Sequence, residues 1–412
     1  MSNQTPNPAR PQLPAPLSRA GVWKKRAKYM SRWVPSYLRQ SVARPAPRGP
    51  VHLILALADH FEPAIDPNDG QARVPYPEQQ RRLERWVDTY PRIVDQYRDH
   101  DGHPFVHTYF YPVEQYDRGL VAQLAGFCHA GWGEIEIHLH HGVGKPDTAE
   151  NTRRILAEAR DRLAFEHGCL SRAAGSEAPR YAFIHGNYAL ANSAEGRACG
   201  VDSEMQVLAE TGCYADMTLP TSIFHWAQTA KINSLYECAL PLTERAPHRR
   251  GRDLRVGHAP TTFPMIVQGP LLPHFTSVGG RKRGIENGGF TNSTPPDIRR
   301  VPLWKRAAIS VHGRPDWLFV KLHCHGMDPT QDATMLGAPM QKFLADLLYQ
   351  ATDTKDTLHF VTAREMVNIV LAACDGREGN PGQYRDYRFH RFSKGPSTQR
   401  STELLAQTSP RG

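Results

Sequence analysis

Three histidines stand within four residues at the end of Gly133–His141, a stretch in which polar and apolar residues alternate. Neutral imidazole is the side chain that proteins use most often to bind transition metals. The alternation predicts a β-strand that places His138 and His140 on one face, while His141 begins the following loop. We therefore predict a metal site at the end of this strand. The alternatives are a surface cluster of histidines and a set of hydrogen-bonded core histidines, neither of which binds a metal.

Residues of the types that bind metals or polar substrates also follow other apolar stretches, each of which is predicted to be a strand. These candidates are Asp59 and His60 after Val51–Ala58, His185, Asn187 and Tyr188 after Tyr181–Ile184, Asp216 within Cys213–Leu219, and His323 and His325 at the end of Trp317–His323. Their alternative roles are structural, as caps, turn residues or hydrogen-bonded core groups. One aspartate and two histidines from three strand ends would hold one divalent metal, with zinc as the expected ion, and would leave coordination positions open.

A metal held in this way polarises a carbonyl group and lowers the pKa of a bound water to about 7. A further imidazole or carboxylate beside it acts as general base and acid. Such groups together hydrolyse amides or esters. The sequence contains no G-x-S-x-G motif, no P-loop and no G-x-G-x-x-G after a strand, so serine-hydrolase and nucleotide chemistry have little support.

The predicted strands are separated by helical stretches of about 10–20 residues, which is typical of β-α units and a mostly parallel sheet. About seven such units predict an α/β fold of the (β/α) barrel type, roughly seven-stranded and irregular, with its chemistry at the carboxyl ends of the strands. We predict three parts of the chain. They are residues 1–50 as a basic, Pro-rich arm with an amphipathic helix, 51–375 as the barrel with a loop-rich insertion at about 243–300, and 376–412 as a mostly disordered tail.

The positive charge of the chain is concentrated in the arm. The 412 residues have a formal net charge of +9, but residues 1–50 carry ten Lys or Arg and no Asp or Glu, which leaves 40 basic and 41 acidic residues in the body. A nearly neutral body argues against a nucleic-acid partner. Within the arm, residues 20–38 form a basic amphipathic segment. It is predicted either to contact an anionic membrane surface or to pack on its own domain.

The cysteines indicate the compartment. There are seven, an odd number, scattered along the chain and without a C-x-x-C pair, and the N-terminus has no apolar stretch before a small-residue cleavage site. This pattern predicts reduced thiols in a cytoplasmic protein. The basic arm adds the option of peripheral contact with the inner membrane.

The order of these elements resembles the polysaccharide deacetylase superfamily, also called the NodB-homology or carbohydrate esterase group, within a wider clan of glycoside hydrolase and deacetylase barrels. The resemblance runs from about Val51 to Ala373, and its motifs are divergent. They are Leu57–His60 in place of an Asp-Asp pair, Glu136–His141 in place of His-x-x-x-His, Phe183–Tyr188 in place of Arg-Pro-Pro-Tyr, Val320–His323 in place of Leu-x-His, and Phe360–Met366 as the last strand and the start of the last helix.

The resemblance implies a catalytic base and a metal ligand at Asp59 and His60, in either order. It implies metal ligands at His138 and at His140 or His141, and an acid at His323. The predicted site therefore has His60 and His323 as catalytic residues, Asp59, His138, His140 and His141 as metal ligands, and His185, Asn187, Tyr188, Asp216 and His325 as substrate-binding residues. The implied activity is deacetylation of carbohydrate in bacterial exopolysaccharide or surface-glycan biosynthesis, on nucleotide-linked or lipid-linked sugar intermediates.

Two other functions fit the same barrel. A glycoside hydrolase would need two carboxylates about 5–10 Å apart on either side of the sugar bond. The candidates for such a pair are Glu62, Glu114, Glu136 and Asp216. A glycan-binding relative would keep the fold and lack the chemistry. Bound metal distinguishes the deacetylase from both.

Overall fold

The computed structural model describes residues 19–43, 47, 49–275 and 283–392. These residues form a mixed α/β fold with one large, mostly parallel sheet. The strands are β1 (His52–His60), β2 (His107–Pro112), β3 (Gly133–Leu139), β4 (Ser171–Ala173), β5 (Pro179–His185), β6 (Cys213–Asp216), β7 (Leu235–Glu237), β8 (Arg252–Asp253), β9 (Met265–Val267), β10 (Leu272–His274), β11 (Gly284–Glu286), β12 (Trp317–Cys324), β13 (Thr357–Val361) and β14 (Phe389–Arg391). The α-helices are α1 (Arg19–Met30), α2 (Val34–Ala43), α3 (Tyr76–Val94), α4 (Arg118–Phe127), α5 (Ala149–Asp161), α6 (Glu204–Thr211), α7 (Val301–Ala307), α8 (Asp332–Met335), α9 (Ala338–Thr354) and α10 (Ala363–Cys374).

Strand β1 organises the sheet because it has three parallel partners. It pairs with β12 along its whole length, and on its other edge with β13 in its first half and with β2 at its end. The parallel order continues from β2 through β3, β5, β6 and β9, and antiparallel β7 and β8 follow. Among the described residues no ladder joins β12 to β9, so the hydrogen-bonded sheet is not closed. The parallel strands still end at one common edge.

Side chains along these strands alternate between two buried faces. In β1, Leu53, Leu55 and Leu57 belong to the hydrophobic cluster that includes the buried residues of α3, α4, α5 and α9, and we call this side the helix-layer face. Ile54 and Ala56 belong to a second cluster with the buried residues of α10, which we call the α10 face. Each buried aliphatic side chain contributes about 1.5–3 kcal/mol relative to exposure. Apolar residues therefore fill the middle of both faces, and polar residues collect at the strand ends.

The N-terminal arm packs on the body through its second half. Trp33 is 6% exposed and lies in a small apolar cluster with Ile232 and Leu271. The Arg32 guanidinium donates a hydrogen bond to the Trp226 carbonyl oxygen at 2.6 Å. Packing on the domain, one of the two predicted roles of residues 20–38, is thus observed for this half. None of the helices in the described ranges is long and apolar enough to cross a membrane.

Residues 376–392, the first part of the segment 376–412 that was predicted to be mostly disordered, are folded. Strand β14 pairs antiparallel with β4. The Asn368 amide nitrogen donates to the carbonyl oxygens of Arg385 and Phe389, each at 2.7 Å. Such side-chain-to-backbone bonds leave no periodic signal in the sequence. Residues 1–18 and 393–412, both predicted to be disordered, lie outside the described residues.

The predicted insertion at about 243–300 is loop-rich, as expected, but it is not separate from the sheet. Its strand β9 pairs in parallel with β6 and antiparallel with β7. A short hairpin of β10 and β11 follows. The insertion therefore extends the sheet at one edge.

We predict that Arg364→Met lowers the free energy of unfolding by about 3–5 kcal/mol, because it leaves the buried Glu134 carboxylate without its main partner. Arg364 is buried and donates to Glu134 at 2.7 Å and to the Phe389 carbonyl oxygen at 2.9 Å. Urea unfolding followed by circular dichroism measures the change. The matched control is Arg391→Met, since Arg391 contacts the same carboxylate but is 49% exposed, and about 1 kcal/mol or less is expected. Equal effects would contradict the prediction.

Candidate metal centre

Four histidines from three strand ends meet on the α10 face. The ring centre of His60, at the end of β1, lies 4.9 Å from that of His138 in β3 and 4.8 Å from that of His325 just after β12. The His323 ring is 6.3 Å from His60. These positions have the same parity as the apolar residues that contact α10, so strand alternation places all four rings on one side.

Glu62 lies at the centre of this group, two residues beyond the end of β1. It is 5% exposed, and its carboxylate oxygens lie 3.4 Å from Nε2 of His138 and 3.8 Å from Nε2 of His140. The ligand atoms of Glu62, His138 and His140 all lie within 4.8 Å of one another, and so do those of Glu62, His60 and His325. We call these five residues the Glu62 cluster. The two sets share one carboxylate, and each could hold a metal ion.

Hydrogen bonds at the far side of two rings orient them toward Glu62. Nδ1 of His138 donates to the Ile184 carbonyl oxygen at 3.0 Å, so Nδ1 carries a proton and Nε2 faces Glu62. Its Nε2 is buried and has no hydrogen-bond partner. Nδ1 of His140 donates to the Glu114 carboxylate at 2.7 Å. A backbone carbonyl or a carboxylate on the outer nitrogen is the usual support of a metal-binding histidine.

Burial and charge set the protonation of the cluster. Burial and the neighbouring His325 and His138 hold the pKa of His60 well below its ordinary value, so the ring is neutral at pH 7. Burial would raise the pKa of Glu62, but the contacts with His138 and His140 lower it to about 2. The cluster thus combines a carboxylate with a neutral imidazole, which are the forms that bind a divalent cation.

The structure corrects the predicted ligand set, because it does not bring Asp59 to His138. Asp59 lies on the helix-layer face, where its carboxylate accepts from Nδ1 of His107 at 2.8 Å and from the Gly326 amide at 2.7 Å. With Cys324 nearby, Asp59 and His107 form a separate buried group. The cause is strand alternation, since adjacent residues such as Asp59 and His60 point to opposite faces.

His141 and His185 are also directed away from His138. Nε2 of His141 lies 2.8 Å from a Glu204 oxygen, and Nδ1 lies 3.0 Å from Asp147. Nε2 of His185 is 3.7 Å from the same Glu204 oxygen. Burial would lower the pKa of His141, but its partners, Cys199 and Glu204 among them, raise it to about 11. These residues form a second group on the helix-layer face.

The remaining predicted substrate residues divide between the mouth of the site and the interior. Tyr188 and Asn187 are half-buried in the loop that follows β5, and burial together with the Glu62 charge raises the pKa of Tyr188. Asp216 is fully buried and accepts from the Thr218 hydroxyl at 2.7 Å. Burial raises its pKa to about 7. Asp216 is therefore an interior group, whereas His325 belongs to the Glu62 cluster.

Several site residues were absent from the predicted site. Glu62 had a usable signal, because the alternation of β1 continues through His60-Phe61-Glu62 and places Glu62 on the face of His60. The other members had no local signal, since tertiary structure alone brings them together. They are His107 and Cys324 beside Asp59, and Cys199 and Glu204 beside His141.

Comparisons with known proteins do not assign the chain to a family. No protein-family model matches it, and no curated protein matches it. Among solved structures, an alpha-mannosidase from Enterococcus faecalis V583 aligns at 11% identity with a TM-score of 0.32, over 78% of this chain. The chain spans 29% of the length of that structure. A similarity at this level carries no argument about fold or function.

We predict that Gly186→Ala weakens binding of divalent metal about 10- to 100-fold, because the added methyl group displaces the ring of one candidate ligand, His140. A Cβ at Gly186 would lie 2.2 Å from Cδ2 of His140, so the ring would have to move. Zinc titration calorimetry on the full chain measures the affinity. Gly126→Ala is the matched control, since a Cβ there meets no atom within 4 Å. Unchanged zinc affinity in Gly186→Ala would contradict the placement of His140 at the metal.

Proposed function

We propose that the protein is a metal-dependent hydrolase that deacetylates carbohydrate, as polysaccharide or as a glycan precursor in bacterial surface or exopolysaccharide biosynthesis. The observation that carries the proposal is the Glu62 cluster, in which a buried carboxylate is surrounded by imidazoles and Nε2 of His138 lies 3.4 Å from Glu62 without a hydrogen bond. Nitrogen and oxygen donors in this number fit zinc. The resemblance to the deacetylase superfamily supplies the substrate class. An irregular (β/α) barrel, with α10 against its inner face, is part of the same proposal.

The residues that fit the metal best are Glu62, His138 and His140. A divalent ion bound there would polarise the acetyl carbonyl and acidify a water. In our assignment His60 accepts the proton of that water, since its ring lies beside His138 and Asp59 faces away. That proton would pass from His60 to His323, whose ring centre lies 6.3 Å away, and from His323 to the nitrogen or oxygen of the leaving amine or alcohol. The C–N or C–O bond of the acetyl group breaks, a new C–O bond forms, and acetate leaves.

Aromatic side chains at the mouth support a sugar substrate. Tyr188 is half-buried in the loop that follows β5, its ring centre lies 6.0 Å from that of His225, and His225 lies 4.5 Å from Trp226. Aromatic rings with a polar edge suit ligands that combine apolar faces with hydroxyl groups. The side chain of His140 is 22% exposed, so the cluster is reachable from this side.

The arm supports a second element of the proposal, which is contact with an anionic membrane surface that carries a lipid-linked substrate. Trp23 is 64% exposed beside Lys24 and Lys25, and Leu38 is 61% exposed. Basic residues beside exposed apolar side chains are typical of interfacial helices. We expect Trp23→Ser to reduce sedimentation of the full chain with phosphatidylglycerol vesicles, with Tyr349→Ser on the exposed side of α9 as control. Equal sedimentation of both variants and the original chain would contradict membrane contact through the arm.

A glycoside hydrolase remains the second candidate because two carboxylates flank one ring. Glu114 and Glu62 contact opposite nitrogens of His140, at 2.7 and 3.8 Å. The other two candidates are less suited. Glu136 is buried, with its carboxylate bound to the Tyr214 hydroxyl and the Ala182 amide, and Asp216 is interior.

The test of the proposed function combines metal content with product release. We expect the full chain to bind zinc and to release acetate from acetylated oligosaccharides. His138→Ala should lose the zinc of the Glu62 cluster, and His60→Gln should keep it while kcat falls about 10²- to 10⁴-fold. His258→Ala, an exposed histidine elsewhere on the body, is the control.

Three results would contradict the deacetylase. A folded chain that binds no zinc would remove the metal mechanism. Zinc binding without acetate release would favour the non-catalytic glycan-binding relative. Cleavage of glycosidic bonds that is lost in both Glu62→Gln and Glu114→Gln would favour the glycoside hydrolase.

A further inference from the structure

A second set of ligand-type side chains lies behind the ends of β3 and β5, on the helix-layer face. It consists of His141, His185, Cys199 and Glu204, and we call it the Cys199 cluster. All four are buried, and their ligand atoms lie within 4.8 Å of one another. We propose that this cluster is a closed structural zinc site, separate from the Glu62 cluster. It does not depend on the proposed function.

The donor atoms are of the types that bind structural zinc, and two of their separations match a tetrahedral site. Ligands at the usual Zn–N and Zn–S distances lie about 3.2–3.8 Å from one another. A Glu204 oxygen is 2.8 Å from Nε2 of His141 and 3.7 Å from Nε2 of His185. The Cys199 sulfur is 3.6 Å from the other Glu204 oxygen. The shorter contact between Glu204 and His141 is a hydrogen bond that would lengthen on metal binding. Four protein ligands and no exposed position are typical of structural rather than catalytic zinc.

One ring nitrogen in the cluster forms no hydrogen bond with any protein group in the described ranges and is free to bind a metal. Nε2 of His185 is buried and has no hydrogen-bond partner. A buried polar atom in this state costs about 1–3 kcal/mol. Binding through Nε2 would transfer the ring proton to Nδ1. The long 3.3 Å bond that Nδ1 now accepts from the Asn187 amide would be given up, and Asn187 lies in a half-buried loop that water can reach.

The groups around the cluster are those expected to support metal ligands. Asp147 accepts from Nδ1 of His141 at 3.0 Å and is itself held by the Thr148 amide at 2.8 Å. The Ala191 amide donates to Glu204 at 2.6 Å. A carboxylate behind a histidine and a backbone donor on a carboxylate are usual around bound metals.

A metal in this place would fix the loop between β5 and α6 to the strand ends. Tyr188, Ala191, Asn192, Glu195 and Ala198 in this loop all have positive φ. Non-glycine residues hold this conformation only where surrounding contacts impose it. The same loop begins with the glycine that touches the His140 ring. A metal bound to the Cys199 cluster would therefore also restrict the movement of the loop residue that lies beside His140 in the Glu62 cluster.

The competing explanation is a metal-free ion pair, in which a protonated His141 bridges Glu204 and Asp147. The two explanations differ in metal content and in whether a thiolate binds metal. The test uses the full chain, purified with zinc and separately reconstituted with Co²⁺. Zinc per chain is measured by mass spectrometry, and the cobalt form is measured for thiolate-to-cobalt charge-transfer absorption.

Cys199→Ala should lower bound zinc by about one ion per chain and remove the charge-transfer band. Cys374→Ala, at another fully buried cysteine, should change neither. Cys199→Asp keeps a ligand, so it should retain the metal and lose only the band, which tests the site even if the alanine variant does not fold. His138→Ala should lower bound zinc by about one ion and leave the band intact.

The inference is overturned if the original chain shows no charge-transfer band and Cys199→Ala binds as much zinc as the original chain. His138→Ala then still reports on the Glu62 cluster, so the two sites fail separately. A third result is also possible: the original chain shows the charge-transfer band, and zinc is lost in Cys199→Ala but not in His138→Ala. This result would support a metal in the Cys199 cluster and contradict the metal of the proposed function.

Discussion

Strand alternation at the carboxyl edge of the sheet is the constraint on which the rest of the site depends. Because neighbouring residues point to opposite faces, His60 and Asp59 are assigned to different sides of β1, as are His140 and His141 at the end of β3. The Glu62 cluster collects the side chains of the α10 face, and the Cys199 cluster collects those of the helix-layer face. A shift of one residue in the register of β1 would turn His60 away from the α10 face, and the same shift in β3 would turn His138 away from it.

Each cluster is polar and buried, and hydrogen bonds from neighbouring groups orient its side chains. The geometry of both clusters therefore depends on these neighbouring groups. The Ile184 carbonyl orients His138, and Glu114 orients His140. On the other face Asp147 and the Ala191 amide support His141 and Glu204. Because Ile184 lies in β5, parallel pairing of β3 with β5 supplies part of the site as well as part of the sheet.

The sequence predicted the elements with strong local periodicity. The alternation in Gly133–His141 predicted β3 and the shared face of His138 and His140, and β-α units predicted the parallel sheet. The folded segment 376–392 had no such signal, because it is held by bonds from Asn368 and Arg364 to its backbone. Local sequence patterns also could not predict whether the sheet closes, because closure depends on pairing between distant strands.

The site was predicted only in part, because local periodicity does not show which distant residues the fold brings together. His60 and His138 were placed correctly at strand ends, but the choice of Asp59 as a ligand followed the metal-binding chemistry of its carboxylate rather than the parity of β1. Glu62 was considered only as a carboxylate for glycoside hydrolysis, although its parity places it with His60. Cys199 and Glu204 lie more than ten residues from His185, and no spacing rule connects them to it.

Anomalous diffraction tests the Glu62 cluster most directly. Crystals of the full chain grown with zinc would be measured on both sides of the zinc absorption edge. We predict an anomalous peak about 2.0–2.2 Å from a Glu62 carboxylate oxygen, Nε2 of His138 and Nε2 of His140. Ordered side chains at these three positions with no anomalous peak between them would contradict a metal centre at the carboxyl edge of the sheet.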